Sequence, residues 1–261
     1  MKTVLLLFAS SFLAVSCCSG CNSGSANSAN QSLPDQVLII VDLSTSLNDE
    51  QRRAIPELVT AFVLQEAQNA DVTVYPLVSD MGHSKTLVRQ LHPPATGRIV
   101  DIAAWKSFVL GTWAHELKGG VGEILKLPES TQKQIYTSCY IASAVFADQD
   151  FGSLSKAGRM RILWVGDLIE DCPLGEFHQY RLPNKGSKDK LQSLNLSLHS
   201  LSAVEGIGAI IPRDPAAGPS DASFIMTTDY WNALIPHLGM SPNLVKIGPA
   251  GTVLPPAQTI R

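Results

Sequence analysis

Asp42, Ser44 and Ser46 stand at alternate positions directly after the apolar run Val37-Leu38-Ile39-Ile40-Val41. One carboxylate and two hydroxyls offered from a single tight turn make an all-oxygen array. That is the donor chemistry of a hard divalent cation: Mg²⁺ takes one or two carboxylates with neutral oxygens and keeps waters for the rest. The five apolar residues read as a strand buried on both faces, which would deliver the three oxygens at its carboxyl end. In the plainer alternative, Ser44 and Ser46 cap the following helix and Asp42 lies in an ordinary turn.

The elements that must position this array follow from periodicity. Asn48 is a plausible helix N-cap, and Ile55, Leu58, Val59, Phe62 and Val63 recur at helical spacing through about Ala67, with Pro56 marking either the helix start or a kink. Asp71 to Ser79 reads as a second strand, and a turn at Asp80-Met81-Gly82-His83 leads to a short third strand, Thr86 to Leu91, antiparallel to it. Residues 92–128 are less legible, with a helical candidate from Ile99 to Leu117 and breaks at Pro93-Pro94 and Gly119-Gly120. Further on, a helix body is expected over Tyr136 to Phe146, and a buried strand over Met160 to Val165, ending at Gly166-Asp167. Then come a helix (Lys188 to Leu201), a strand (Val204 to Ile211), a helix capped by Asp221 and running to Leu238, and a last strand (Leu244 to Ile247). Strands alternating with helices predict an α/β fold: a doubly wound, mostly parallel central sheet with one antiparallel edge strand and helices on both faces. In such sheets ligands bind outside the carboxyl ends of the strands where strand order reverses, and Asp42 is expected there.

The chain has 261 residues, 45% hydrophobic and 16% charged, enough apolar surface for one sizeable core. A net charge of −3 and the lack of a Lys/Arg cluster interleaved with aromatics argue against nucleic acid as a partner. Met1-Lys2-Thr3 leads into an apolar stretch, Val4 to Val15, which has the form of a secretion signal and is too short to span a bilayer. Ala14-Val15-Ser16-Cys17 is similar to a bacterial lipobox, which would make Cys17 the lipid-modified N-terminus, with Cys18 as a competitor and cleavage by an ordinary peptidase as the alternative. The expected organisation is a signal peptide over residues 1–16, a small and polar tether over 17–35, the folded domain over 36–248 and an irregular tail over 249–261. Such a protein is exported to the cell envelope and held at a membrane by its lipid alone, on the periplasmic or outer-membrane side.

Asp42-x-Ser44-x-Ser46 after a buried strand and before an amphipathic helix resembles the von Willebrand factor A domain, whose metal-ion-dependent adhesion site joins Asp-x-Ser-x-Ser to a Thr in a second loop and an Asp in a third. The resemblance spans residues 37 to about 248. It implies Thr137 as the second-loop ligand, with Ser138 as runner-up, and Asp167 in Trp164-Val165-Gly166-Asp167 as the third. Leu168 departs from the pattern, because many relatives have Gly after this Asp. On this resemblance Ser44, Ser46 and Thr137 bind Mg²⁺ or Mn²⁺ directly, Asp42 and Asp167 hold its ligands or waters from behind depending on ligation state, with direct contact by Asp167 left open, and an acidic side chain of a protein or envelope ligand completes the octahedron. The fold so implied brings Cys139 and Cys172 towards the same rim, as a disulfide or as two separate thiols.

Other groups carry less. The histidines lack metal-ligand spacing, Trp105, Trp113 and Trp231 read as packing residues, and Glu170 and Asp171 read as solvated carboxylates on a rim beside Asp167. A Mg²⁺-dependent phosphoryl hydrolase using Asp42 as nucleophile is the enzymatic alternative, but such enzymes have Asp-x-Asp where this chain has Ser44. Neither a Gly-x-Ser-x-Gly elbow nor a Walker loop is found, so the expectation is a non-enzymatic interaction module. A structural subunit of an envelope complex is the third possibility.

Overall fold

The computed structural model describes residues 35–42, 47–67, 70–77, 89–91, 114–124, 139–153, 158–170, 193, 198, 200–214 and 222–254. The chain divides into two units, Met1–Ser32 and Leu33–Arg261, and every described residue belongs to the second.

Strand β1 (Asp35–Asp42) is the centre of the sheet because six of its eight residues are buried, leaving no face for water. It pairs in parallel with β2 (Ala70–Leu77) on one side and with β4 (Met160–Gly166) on the other. Strand β3 (Arg89–Leu91) pairs antiparallel with β2 at one edge, while β5 (Glu205–Ile210) and β6 (Val245–Pro249) extend the parallel sheet at the other. The order is β3-β2-β1-β4-β5-β6, so the chain winds outwards in one direction from β1 and in the other from β4. The gap between β1 and β4 is the switch point at which ligand sites of such sheets lie.

Helix α1 (Asp49–Glu66) starts at Asn48 through a capping box: Asn48 Oδ1 accepts the Gln51 N–H at 2.9 Å, and Gln51 Oε1 accepts the Asn48 N–H at 2.8 Å. It runs through Pro56 rather than starting there, with Ile55, Val59, Phe62 and Val63 fully buried. The ion pair of Arg161 with Glu66 of α1 places that helix over the sheet face of Leu163 and Ile39. The opposite face, that of Ile40 and Trp164, carries α3 (Tyr140–Ser153) and α4 (Ala222–Leu234). Trp164 fixes this side, since its Nε1 donates to Ser143 Oγ at 3.0 Å and its ring lies 5.3 Å from that of Trp231.

Several local expectations are corrected. Helix α2 (Ala114–Ile124) contains the described end of the expected Ile99–Leu117 helix, whose residues 99–113 lie outside the described residues, and passes straight through the expected break at Gly119-Gly120. Each glycine costs a helix about 1 kcal/mol relative to alanine. Burial of Val121 and the ion pair of Lys118 with Glu57 of α1 offset that cost. Helix α3 starts at Tyr140, not Tyr136, with Cys139 as its last non-helical residue. Helix α4 ends at Leu234, and Ile235–Leu238 form a 3₁₀ turn, which the proline at 236 favours over continued α-helix. Gly239 closes that turn at φ 69°, where a Cβ would come within 2.5 Å of the Leu198 carbonyl oxygen. Residues expected as an irregular tail begin with a helical turn, α5 (Ala250–Val253), because Ala250 and Leu254 bury themselves against the core. Of the helix expected over 188–201 only a few positions are described, and the chain there enters a 3₁₀ turn at Ser200–Ala203.

Candidate functional site

Asp42 is the last residue of β1, one step beyond the Val41–Val165 pair, and Gly166, immediately before Asp167, lies against it. The side chain of Asp42 points to the face of Ile40 and Trp164, since residues two apart on a strand share a face. It is fully buried. There it meets Tyr140, the first residue of α3, whose hydroxyl donates to Asp42 Oδ2 at 2.8 Å.

Close approach explains the glycine. A Cβ at position 166 would stand 2.4 Å from Asp42 Cβ and 2.5 Å from the Tyr140 hydroxyl oxygen. A glycine in an otherwise bulky strand marks such an approach.

Asp167 follows at the top of β4, where its Oδ1 accepts the Ile169 N–H at 3.0 Å, a local turn that Asp side chains commonly make. Between them, Leu168 takes φ 55°, in the left-handed region that suits glycine. Leu168 thus holds a backbone conformation that favours glycine while keeping a fully buried side chain. Both its backbone polar groups are held: the N–H donates to the Tyr140 hydroxyl at 3.3 Å, and Trp231 Nε1 donates to the carbonyl at 2.9 Å.

Burial, then the charges of Asp42 and Asp167, hold the Tyr140 hydroxyl well above the usual phenol range, so it is a proton donor at any physiological pH. Asp42 accepts the proton of that hydroxyl, and the charge of Asp167 adds to the field around it.

Glu170 is not a rim carboxylate. It is fully buried, and its Oε2 accepts the Ile141 N–H at 3.2 Å in the first turn of α3, where an N–H lacks a helical partner and negative charge is favoured. Cys139, just before that turn, is buried and disulfide-bonded.

Of the residues expected at the site, the structure brings Asp42 and Asp167 together. Ser44, Ser46, Thr137, Ser138, Cys172 and Cys17 lie outside the described residues. Two carboxylates at a switch point suit a hard cation. No group of three or more His, Cys, Asp or Glu side chains able to hold a metal occurs among the described residues. A cation at this place would therefore need neutral oxygens as well, and hydroxyls of the Ser44, Ser46 and Thr137 type are the fitting donors. Tyr140, Gly166 and Glu170 are functional neighbours whose roles local sequence did not reveal.

Fold and site define an α/β protein with a doubly wound, five-strand parallel sheet whose acidic pair stands at the switch point. No protein-family model and no curated protein sequence matches the chain. Among solved structures it is similar to a von Willebrand factor type A protein from Catenulispora acidiphila, with 13% identity and a TM-score of 0.43 over 82% of this chain and 38% of that one. The pilus adhesin SpaC from Lactobacillus rhamnosus GG matches at 11% identity and TM-score 0.44 over 86% of this chain and 29% of that one. The manganese-loaded TRAP protein of Plasmodium vivax matches at 11% identity and TM-score 0.39, over 85% of this chain and 70% of that one. This chain thus spans well under half the length of the first two, and at these TM-scores the likenesses are too loose to define a family.

Proposed function

We propose that this chain is an exported, non-enzymatic interaction module that holds Mg²⁺ or Mn²⁺ with Asp42, Ser44, Ser46, Thr137 and Asp167, and grips through that ion an acidic side chain of a protein or envelope ligand. The observation that carries this reading is the placement of Asp42 at the end of β1 and of Asp167 directly after the neighbouring strand β4, at the switch point of the sheet. Few protein charges around the ion would leave it electrophilic towards an incoming carboxylate. Cys17 is the proposed lipid attachment, which would keep the domain at a membrane of the cell envelope; no described helix is long and apolar enough to cross one.

A disulfide between Cys139 and Cys172 fits the same arrangement. Cys139 lies two residues before Ile141 and Cys172 two after Glu170, and Ile141 and Glu170 are hydrogen-bonded. Such a bridge would pin the second and third loops together in an oxidising compartment.

Calorimetric titration of the exported chain with Mg²⁺ and Mn²⁺ tests the centre of the proposal. Binding should be measurable and should vanish in Asp42→Ala; binding that survives this change would sink the site. Capture of a partner from envelope extracts should be reversed by EDTA. Against the hydrolase alternative stands Ser44, where such enzymes carry a second Asp. Turnover of a phosphate ester that depends on Asp42 would reverse this ranking.

A further inference from the structure

A tyrosine hydroxyl has one proton, and the Tyr140 hydroxyl spends it on Asp42 Oδ2, while its oxygen accepts the Leu168 N–H. The bond order is therefore directional. The Leu168 amide feeds the phenol, and the phenol feeds the carboxylate, so Asp42 must be the acceptor. Each member comes from a different element: α3, the turn after β4, and the end of β1.

The phenol is held in turn. Its ring is fully buried and meets Trp231 edge to face, with centroids 5.5 Å apart and planes at 80°. Trp231 also anchors the Leu168 carbonyl, so one indole braces both the phenol and the turn it supports. Gly166 supplies the space for the phenol and carboxylate to meet. A left-handed leucine costs roughly 1–2 kcal/mol, and a conformation of that cost persists only where its surroundings over-determine it.

We propose that Tyr140 is the positioning residue of the cation site: without touching the ion, its hydroxyl aims the Asp42 carboxylate and ties it to the Asp167-Leu168 turn, so that both carboxylates are presented at one spacing. This rests on the cation reading above. Groups that orient a metal's ligands typically change affinity about 10–100-fold when removed. Tyr140→Phe would keep the ring against Trp231 while taking the donor from Asp42 and the acceptor from Leu168.

The test is a calorimetric titration of Mg²⁺ and Mn²⁺ into the wild-type exported chain, Tyr140→Phe and Ser143→Ala, each paired with urea unfolding in EDTA. Ser143→Ala loosens the same helix through its bonds to Trp164 and to the Tyr140 carbonyl but removes nothing from the phenol hydroxyl itself. Tyr140→Phe should weaken binding at least about tenfold, whereas Ser143→Ala, despite losing stability, should bind within about twofold of wild type. Unchanged affinity in Tyr140→Phe overturns the proposal, as does an equal loss in Ser143→Ala, because the effect would then follow stability and not the hydroxyl. Wild-type protein that binds neither ion overturns the cation reading itself, a distinct result. Should Tyr140→Phe fail to fold, wild type carrying fluorotyrosine gives an independent readout. Its Tyr140 ¹⁹F resonance, assigned by substituting the other tyrosines, should shift on Mg²⁺ addition, and a resonance indifferent to Mg²⁺ overturns the role.

Discussion

The Glu170 carboxylate accepts the Ile141 N–H at 3.2 Å inside the core, joining the turn after β4 to the first turn of α3. It does for α3 what a capping side chain does locally, but from a distant segment. Glu170→Ala should therefore destabilise the protein by about 1–3 kcal/mol, the range for leaving a buried donor without its partner. Glu170→Gln, which keeps an acceptor, should lose less. Urea unfolding of the two variants side by side checks the ranking, and equal losses would assign the effect to packing.

Gly166→Ala places a methyl 2.4 Å from Asp42 Cβ and 2.5 Å from the Tyr140 hydroxyl. Neither group can retreat, since both are fully buried. Overpacking of this kind costs typically about 1–3 kcal/mol, and it should also separate phenol from carboxylate and so reduce Mg²⁺ affinity. A stability loss with unaltered Mg²⁺ affinity would show that the spacing of this pair does not matter to the ion.

At Leu168 two effects oppose. Leu168→Gly relieves a φ of 55° but deletes a fully buried side chain. Relief is worth about 1–2 kcal/mol, whereas truncating a buried leucine costs about 2–5 kcal/mol. The variant should thus be less stable overall; a gain in urea midpoint would mean that strain dominates.

Burial holds the Tyr140 and Tyr230 hydroxyls above the usual phenol range, with Asp42 and Asp167 adding to the first and Glu170 to the second. Their raised folded pKa values mean the folded chain keeps protons that the unfolded chain gives up above pH ~10. Stability contributed by these protonated phenols is fully present below that pH and is lost as pH climbs further. The slope is at most about 1.4 kcal/mol per pH unit per buried tyrosine. Urea unfolding at pH 9–11 should show this decline, and Tyr230→Phe should make it shallower. An unchanged slope in that variant would remove Tyr230 from the account.

Peptide mapping without reduction should recover Cys139 linked to Cys172. Reduction should lower stability by about 2–4 kcal/mol, as for a bridge closing a loop of this size. A link from Cys139 to Cys17, Cys18 or Cys21 would dismiss the proposed clamp between loops.

Much of the architecture was legible along the chain because its signals are local. An unbroken apolar run at Val37–Val41 reads as a strand covered on both sides, and Asn48 ahead of apolar residues at helical spacing reads as a helix start. The carboxylate at Asp42 and the second at Asp167 stand where apolar strands end, and that too is read without a partner. Gly119-Gly120 misled because local propensity was outweighed by burial of Val121 and the tie to α1, neither of which is local.

The sequence by itself determined the strands, the α/β class and the two acidic positions, because burial on both faces and turn chemistry are written within a few consecutive residues. Tertiary structure alone decided that Tyr140 meets Asp42, that Glu170 is a buried cap and not a solvated rim, and that Leu168 is forced left-handed between a phenol and an indole. The reason is physical: which groups touch across a switch point depends on strand register and crossover, and these are set by the packing of the whole sheet.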